Sequence, residues 1–172
     1  MPLKPPDEAI LAQAHIAPDT FDLAPSYRAL LLTASNIAPG PSDPHSESLL
    51  LAAEASARAA TAGDTPVTDR PHIVAWRATY KAFGAKPNRT RNSLEALTRR
   101  AAADGGGLPR VNRLTDVYNA VSVRCQMPLG GEDLDRYDGA PFLTRAAGTE
   151  VLKALSPDVK TAQRIIRGPA SE

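Results

Sequence analysis

Apolar residues at helical spacing, separated by glycine and proline, constrain the fold of this chain more than any other feature. One stripe recurs at intervals of three and four residues and consists of Ile73, Trp76, Tyr80 and Phe83. A helix places such residues on one side. Gly84 is a suitable C-terminal stop, and Pro87 prevents the helix from continuing. The pattern predicts a helix over about 71–83.

Three further helices are predicted from similar patterns. The first follows Asp43, whose carboxylate can accept the free N–H groups of the first turn, and Pro44 suits the first helical position. The second starts near Asn92 or Ser93, and the third covers about 113–124. The residues predicted to face inward are Leu49, Leu50, Ala53, Ala57 and Ala60, then Leu94, Leu97 and Ala101, then Leu114, Val117 and Val121.

Strands are predicted on both sides of the helices. They cover residues 15–22, 27–35 and 140–147, and the second is a continuous apolar run that favours burial on both faces. A last short helix is predicted over 156–167. This order favours an α+β fold, with a central mixed or antiparallel sheet and three to four helices. We expect the sheet to be incomplete at its C-terminal end.

The length of 172 residues corresponds to about one domain. We expect residues 1–14 to form a loose N-terminal arm, residues 15–155 the domain, and residues 156–172 a divergent tail.

Composition excludes several kinds of site. Cys125 is the only cysteine, which excludes an internal disulfide and a cysteine-rich metal site. We expect no metal and no cofactor. No apolar stretch approaches the ~20 residues of a membrane span, and the N-terminus carries acids instead of an apolar run. We therefore expect a cytoplasmic protein without a membrane partner.

The net charge of +1 conceals a basic middle segment. Residues 71–125 carry ten Lys or Arg against three Asp or Glu, whereas residues 1–70 carry four against nine. A basic segment between acidic flanks is compatible with an anionic partner.

Two segments resemble a known family. Residues 76–87, W-R-x-x-Y-K-x-F-G-x-K-P, are similar to the helix-turn-helix signature of its stand-alone members. Residues 108–121, L-P-R-V-N-R-L-T-D-V-Y-N-A-V, are similar to the run I-N-x-V-V-D-V-T-N-Y-V of the phenylalanyl-tRNA synthetase beta subunit. Residues 126–128, 133–135 and 145–150 resemble later motifs of that subunit, in the same order. The family is the B-three/four domain.

The resemblance implies a function. In the synthetase this module binds mischarged tRNA and hydrolyses tyrosine from the tRNA for phenylalanine. For this chain it implies a tRNA-binding module, with trans-acting aminoacyl-tRNA deacylation as its candidate activity. The alternative is a non-catalytic module that binds a small molecule or a protein and retains the fold.

The chain departs from the family pattern in two places. Gly130 occupies the position of an editing-site histidine, and Glu132 replaces the neighbouring aromatic residue. After Glu150 the family continues with further strands, whereas this chain becomes helical in pattern and ends. The resemblance therefore implies a member shortened at its C-terminus.

Asn112, Asp116 and Asn119 are the predicted substrate-binding residues. A helix places Asp116 and Asn119 on one face, where amides and acids can hold an amino or hydroxyl group. The alternative is structural: Asn112 caps the helix, and the others bind backbone groups of a neighbouring loop.

Hydrolysis of an aminoacyl ester needs a positioned water and donors for the oxyanion. The candidate residues for this are Glu132, Glu150 and His72.

Basic residues form the predicted nucleic-acid-binding site. They are Arg77, Lys81, Lys86, Arg89 and Arg91, followed by Arg99 and Arg100, with Glu95 as the one acid among them. Such a cluster can contact phosphates; the alternative is a solvated surface. If the cluster binds tRNA, the double change Arg77→Ala, Lys81→Ala is predicted to weaken binding and to reduce its salt dependence by about one to two phosphate equivalents. Stability is predicted to change little, because both residues are expected to lie on the surface.

Overall fold

The computed structural model of the protein describes residues 7–62, 65–136 and 139–146. In these ranges the chain forms six α-helices: α1 (Asp7–Gln13), α2 (Pro18–Leu23), α3 (Pro44–Thr61), α4 (Pro71–Ala82), α5 (Ser93–Ala102) and α6 (Arg113–Cys125). Two strands, β1 (His15–Ile16) and β2 (Phe142–Leu143), complete the regular structure together with 3-10 helices at Val67–Asp69 and Leu134–Arg136. The fold is α+β, as predicted.

The chain divides into two compact units. The larger unit comprises Ala38–Ala78 and Lys86–Glu132, and the smaller unit comprises the remainder, including the last turn of α4. The segment predicted as a loose arm contains α1. The predicted domain limits at residues 14 and 155 stay predictions. In the part of the chain that the structure describes, no helix combines the length and the apolar character needed to cross a membrane.

The core of the larger unit lies between α3, α5 and α6. Its buried residues are Leu50, Ala53 and Ala57 of α3, Ala101 of α5, Leu108, and Ala120 and Val123 of α6. Leu49 and Leu97 pack against this cluster from its edge. Small side chains at the contacts allow the helices to approach closely. The inward faces predicted for α3 and α5 are confirmed, except that Ala60 is exposed.

Side-chain caps explain why the helices begin where they do. Asp43 Oδ1 accepts a hydrogen bond from the Ser46 backbone N–H at 2.8 Å, and the Ser46 hydroxyl accepts from the Asp43 N–H at 3.0 Å. Asn92 caps α5 through the backbone N–H of Glu95 at 2.8 Å. These local bonds satisfy N–H groups that lack partners inside the helix. Because the signal is local, the four predicted helices are confirmed to within about two residues.

The buried face of α6 differs from the prediction. Leu114 and Val121, predicted to face inward, are exposed, whereas Asp116, Asn119 and Ser122 are buried beside Ala120 and Val123. The helix thus turns a largely polar face toward the protein. Hydrogen-bond partners supplied from elsewhere in the chain make that burial possible for Asp116 and Ser122.

In the smaller unit, the observed sheet is much shorter than the predicted one. β1 and β2 pair in parallel, with His15 opposite Phe142 and Ile16 opposite Leu143, and the Ala17 N–H donates to Leu143 O at 2.8 Å. The strand predicted over 15–22 stops at Ile16, because Pro18 begins α2 and a proline suits a first helical turn. A central mixed or antiparallel sheet is not confirmed by the described residues.

The apolar run over residues 27–35 is not a buried strand. No strand is assigned there, and Leu30 and Leu32 are 86% and 85% exposed. An apolar run identifies a strand only if another strand pairs with it, and the described residues supply none at this place. The prediction for this segment was therefore wrong. The helix predicted over 156–167 lies outside the described residues.

Candidate functional site

Glu95 is a fully buried carboxylate in the first turn of α5. Arg77 Nη1 donates to Glu95 Oε1 at 2.9 Å and lies 3.0 Å from Oε2. Arg99 Nε donates to Oε1 at 3.0 Å from one turn further along the helix. A buried charge is costly unless it is paired and hydrogen-bonded. The two arginines supply that compensation.

Arg77 also binds the turn between α4 and α5. Its Nη2 donates to Asn88 Oδ1 at 2.5 Å, and Asn88 belongs to a turn in which Lys86 O accepts from the N–H groups of Arg89 and Thr90. The Arg77 side chain is only 19% exposed. The premise that this residue lies on the surface was therefore wrong, because its guanidinium is engaged by a carboxylate and an amide.

The other basic residues face solvent. Arg91 Nε lies 3.8 Å from Glu95 Oε1, and the side chains of Arg91 and Arg99 are 45% and 43% exposed. Lys86, Arg89 and Lys81 are exposed as well. We call Arg77, Arg91 and Arg99, which surround Glu95, the arginine cluster. Its one interior member, Arg77, holds the structure, and its two exposed members, Arg91 and Arg99, are accessible to an anion.

Part of this cluster has a local signal in the sequence, in the spacing of Glu95 and Arg99. Glu95 lies four residues before Arg99 in α5, so the two share one side of the helix, whereas Arg91 lies four residues before Glu95 and precedes the N-cap Asn92. The contact from Arg77 spans eighteen positions and has no such local signal.

Asp116 is the centre of a second buried network. Its Oδ1 accepts from the Val111 backbone N–H at 2.8 Å, and its Oδ2 accepts from the Ser42 hydroxyl at 2.5 Å, with the Ser46 hydroxyl 3.3 Å away. Both carboxylate oxygens are therefore occupied by internal donors. Asp116 connects the loop before α3, the start of α3 and the loop before α6.

Asn112 and Asn119 have different surroundings. Asn112 Oδ1 caps α6 by accepting from the Thr115 N–H at 2.9 Å, as the structural alternative anticipated. Asn119 is 7% exposed, and its carboxamide forms no hydrogen bond with another described residue. Of the three predicted substrate-binding residues, Asn119 alone keeps its polar atoms uncommitted within the described ranges.

Two of the three catalytic candidates lie within the described residues. Glu132 and His72 are exposed, and Glu150 lies outside the described residues. Among the described residues, apart from the two chain neighbours of Gly130, no atom lies within 4 Å of the position that a Cβ would take at Gly130. Within the described ranges, no group of three or more His, Cys, Asp or Glu residues is arranged to hold a metal.

A further ion pair network fixes the segment before α6. Arg110 donates to Glu47 at 2.6 Å and to the buried Glu54 at 2.5 Å, and Glu54 also accepts from the Leu108 N–H at 2.8 Å. The hydrogen bond from Arg110 lowers the pKa of the Glu47 carboxyl. The hydrogen bond to Glu47 is also the main reason that the pKa of Arg110 is raised. The network connects the segment before α6 to α3.

Gln126 ends α6 in a left-handed conformation, with φ of 54°. This region favours glycine, so a glutamine there needs support. Its Nε2 donates to Val123 O at 2.6 Å, and its Oε1 accepts from Arg70 Nε at 2.6 Å. The side chain thus stabilises the turn that leads into Met127 and Pro128.

Comparison with protein families matches the B3/4 domain over residues 75–165. That range is more than half of the 172 residues and contains both the arginine cluster and the polar face of α6. The chain belongs to the B3/4 domain family. The B3/4 domain also occurs in the phenylalanyl-tRNA synthetase beta subunit. Comparison with curated proteins and with solved structures gave no significant match. In this B3/4 domain protein the matched region begins inside α4 and ends within the segment predicted as a divergent tail.

Proposed function

We propose that this B3/4 domain protein binds tRNA through basic residues of α4, α5 and the turn between them. The observation that carries the proposal is the arginine cluster inside the family-matched region. Three guanidinium groups surround one carboxylate, which leaves a net charge of +2 at one place on the larger unit. A concentrated positive charge of this kind favours the phosphates of a nucleic acid.

The predicted nucleic-acid-binding residues divide by role. Lys86, Arg89 and Arg91 are exposed and are proposed to contact phosphates, and Lys81 is exposed on the last turn of α4. Arg77 is proposed to contribute indirectly, because its guanidinium is engaged by Glu95 and Asn88.

Binding of a tRNA for phenylalanine, measured by fluorescence anisotropy at low salt, tests the proposal. Absence of a complex would refute it.

Removal of a mischarged amino acid from tRNA is the proposed activity. Asn112, Asp116 and Asn119 are the proposed substrate-binding residues, and the uncommitted carboxamide of Asn119 is the best placed to hold a ligand group. Glu132 and Glu150 are the proposed catalytic candidates. Release of tyrosine from tyrosine-charged tRNA tests this activity, and release no faster than in buffer would reduce the function to binding.

The second candidate function is a non-catalytic module that binds a small molecule or a protein. Two observations favour this non-catalytic function. Gly130 occupies the position of the family histidine, and internal donors already bind both oxygens of Asp116. A binding screen with free amino acids and metabolites, run beside tRNA binding, separates the two. Either function is proposed to operate in the cytoplasm.

A further inference from the structure

We propose that Glu95 is an internal counter-ion that positions Arg91 and Arg99 as a clamp for the phosphates of an RNA backbone. This inference rests on the proposed tRNA binding. It goes further by assigning the phosphate contacts to two particular arginines and a positioning role to a buried acid.

The hydrogen-bond donors of the three arginines are used differently. Arg77 donates from Nη1 to Glu95 and from Nη2 to Asn88, so its guanidinium is directed inward. Arg99 uses only Nε on Glu95, which leaves both of its terminal nitrogens without an acceptor among the described residues. Arg91 lies at 3.8 Å from the carboxylate and is held by charge alone. The unused donors belong to the two exposed side chains.

A guanidinium has five N–H donors in a planar fork that matches two oxygens of a phosphate. An arginine already held at Nε loses less rotamer freedom when its terminal nitrogens bind a ligand. Arg91 and Arg99 flank Glu95 at four residues on either side. The two guanidinium groups are therefore already held near Glu95 before RNA binds.

Glu95 makes this clamp distinguishable from a simple positive surface. If charge alone governed binding, Glu95→Gln would strengthen it, because the variant gains one unit of positive charge. If Glu95 positions the arginines, the same change weakens binding, because the shared acceptor for Arg77 and Arg99 loses its charge. The two mechanisms predict opposite signs.

The experiment measures the affinity of the full chain for a tRNA for phenylalanine over a salt series. The double variant Arg91→Gln, Arg99→Gln is expected to reduce the salt dependence by about two phosphate equivalents. Arg99→Lys keeps the charge but loses the fork, and is expected to weaken binding by about threefold or more. Arg124→Gln, which removes an exposed arginine of α6 that is not a member of the arginine cluster, is the matched control and is expected to change affinity by less than about twofold.

Glu95→Gln is expected to weaken binding by about threefold or more, measured on protein shown to be folded by circular dichroism. Two results would overturn the clamp while leaving tRNA binding intact. One is stronger binding by Glu95→Gln. The other is a double variant of Arg91 and Arg99 that keeps the affinity and the salt dependence of the wild type. If Glu95→Gln does not fold, Arg99→Lys is the deciding variant. A tRNA affinity of Arg99→Lys equal to that of the wild type then overturns the clamp. If the wild-type protein binds no tRNA, the proposed function itself fails.

Discussion

Arg77 donates from Nη1 to both carboxylate oxygens of Glu95, at 2.9 and 3.0 Å, and Glu95 is fully buried. This pair connects a helix that carries basic residues to the helix that follows it. It also explains why the basic residues cannot be treated as one uniform surface: some hold the fold and others face solvent.

Replacement of Arg77 by alanine is expected to destabilise the protein by about 1–3 kcal/mol. Removing one partner of a buried ion pair leaves an uncompensated charge, which costs about 3–5 kcal/mol when nothing else pairs with it. Arg99 continues to pair with Glu95, so the cost should be smaller. Lys81→Ala, at an exposed position of the same helix, is the control and should stay within about 0.5 kcal/mol. Denaturant unfolding measures both, and equal stability of the two variants would contradict a structural role for Arg77.

The two faces of α6 give a second prediction, because the hydrophobic pattern and the structure rank two substitutions in opposite order. Asp116→Ala should cost at least about 2 kcal/mol, since it removes the acceptor of the Val111 N–H and of the Ser42 hydroxyl. Leu114→Ala should cost less than about 1 kcal/mol, because Leu114 is exposed. If Leu114→Ala lowered the unfolding free energy by more than Asp116→Ala did, the apolar inward face that the spacing predicts would be restored.

Helices were predictable from this sequence because their signals are local. Asp43, Asn92 and Asn112 each lie directly before a helix and bind an N–H within three residues. The sheet was not predictable in this way, since pairing of His15 with Phe142 depends on residues more than a hundred positions apart. The same limit applies to the site: burial of Asp116 depends on Ser42, and burial of Glu95 depends on Arg77.

A third prediction concerns pH. The pKa of the Asp43 carboxyl is lowered from its ordinary value of 3.8, mainly by the Ser46 backbone N–H and also by the Arg113 charge. A lowered folded-state pKa contributes stability that is present above the unfolded-state value and is lost as pH falls through the folded-state value. Asp43→Asn keeps a good helix cap but removes the charge. The wild type should be more stable than this variant at pH 7, and the difference should shrink below about pH 3.8.

Urea unfolding at pH 7 and pH 3 measures this difference. A gap between the wild type and Asp43→Asn that is the same at both pH values would show that the carboxylate charge does not contribute to the cap.

A fourth prediction follows from the open space at Gly130. Gly130→His should fold with wild-type stability, because no described residue other than the two chain neighbours comes within 4 Å of the added Cβ. If deacylation is limited by the missing family histidine, this variant should release tyrosine from tyrosine-charged tRNA faster than the Gly130→Ala control. Equal rates in the two variants would favour the non-catalytic alternative.

Binding of tRNA by the wild-type protein over a salt series tests the central claim most directly. Each phosphate contact makes the slope of log affinity against log salt concentration more negative by about 0.7–0.9. We expect about two such contacts from the exposed Arg91 and Arg99 alone, and further contacts from Lys86 and Arg89. A linear fall in log affinity with a slope of about −1.5 or steeper is the expected result. No complex at about 50 mM salt, or an affinity that does not change between about 50 and 200 mM, would contradict the account.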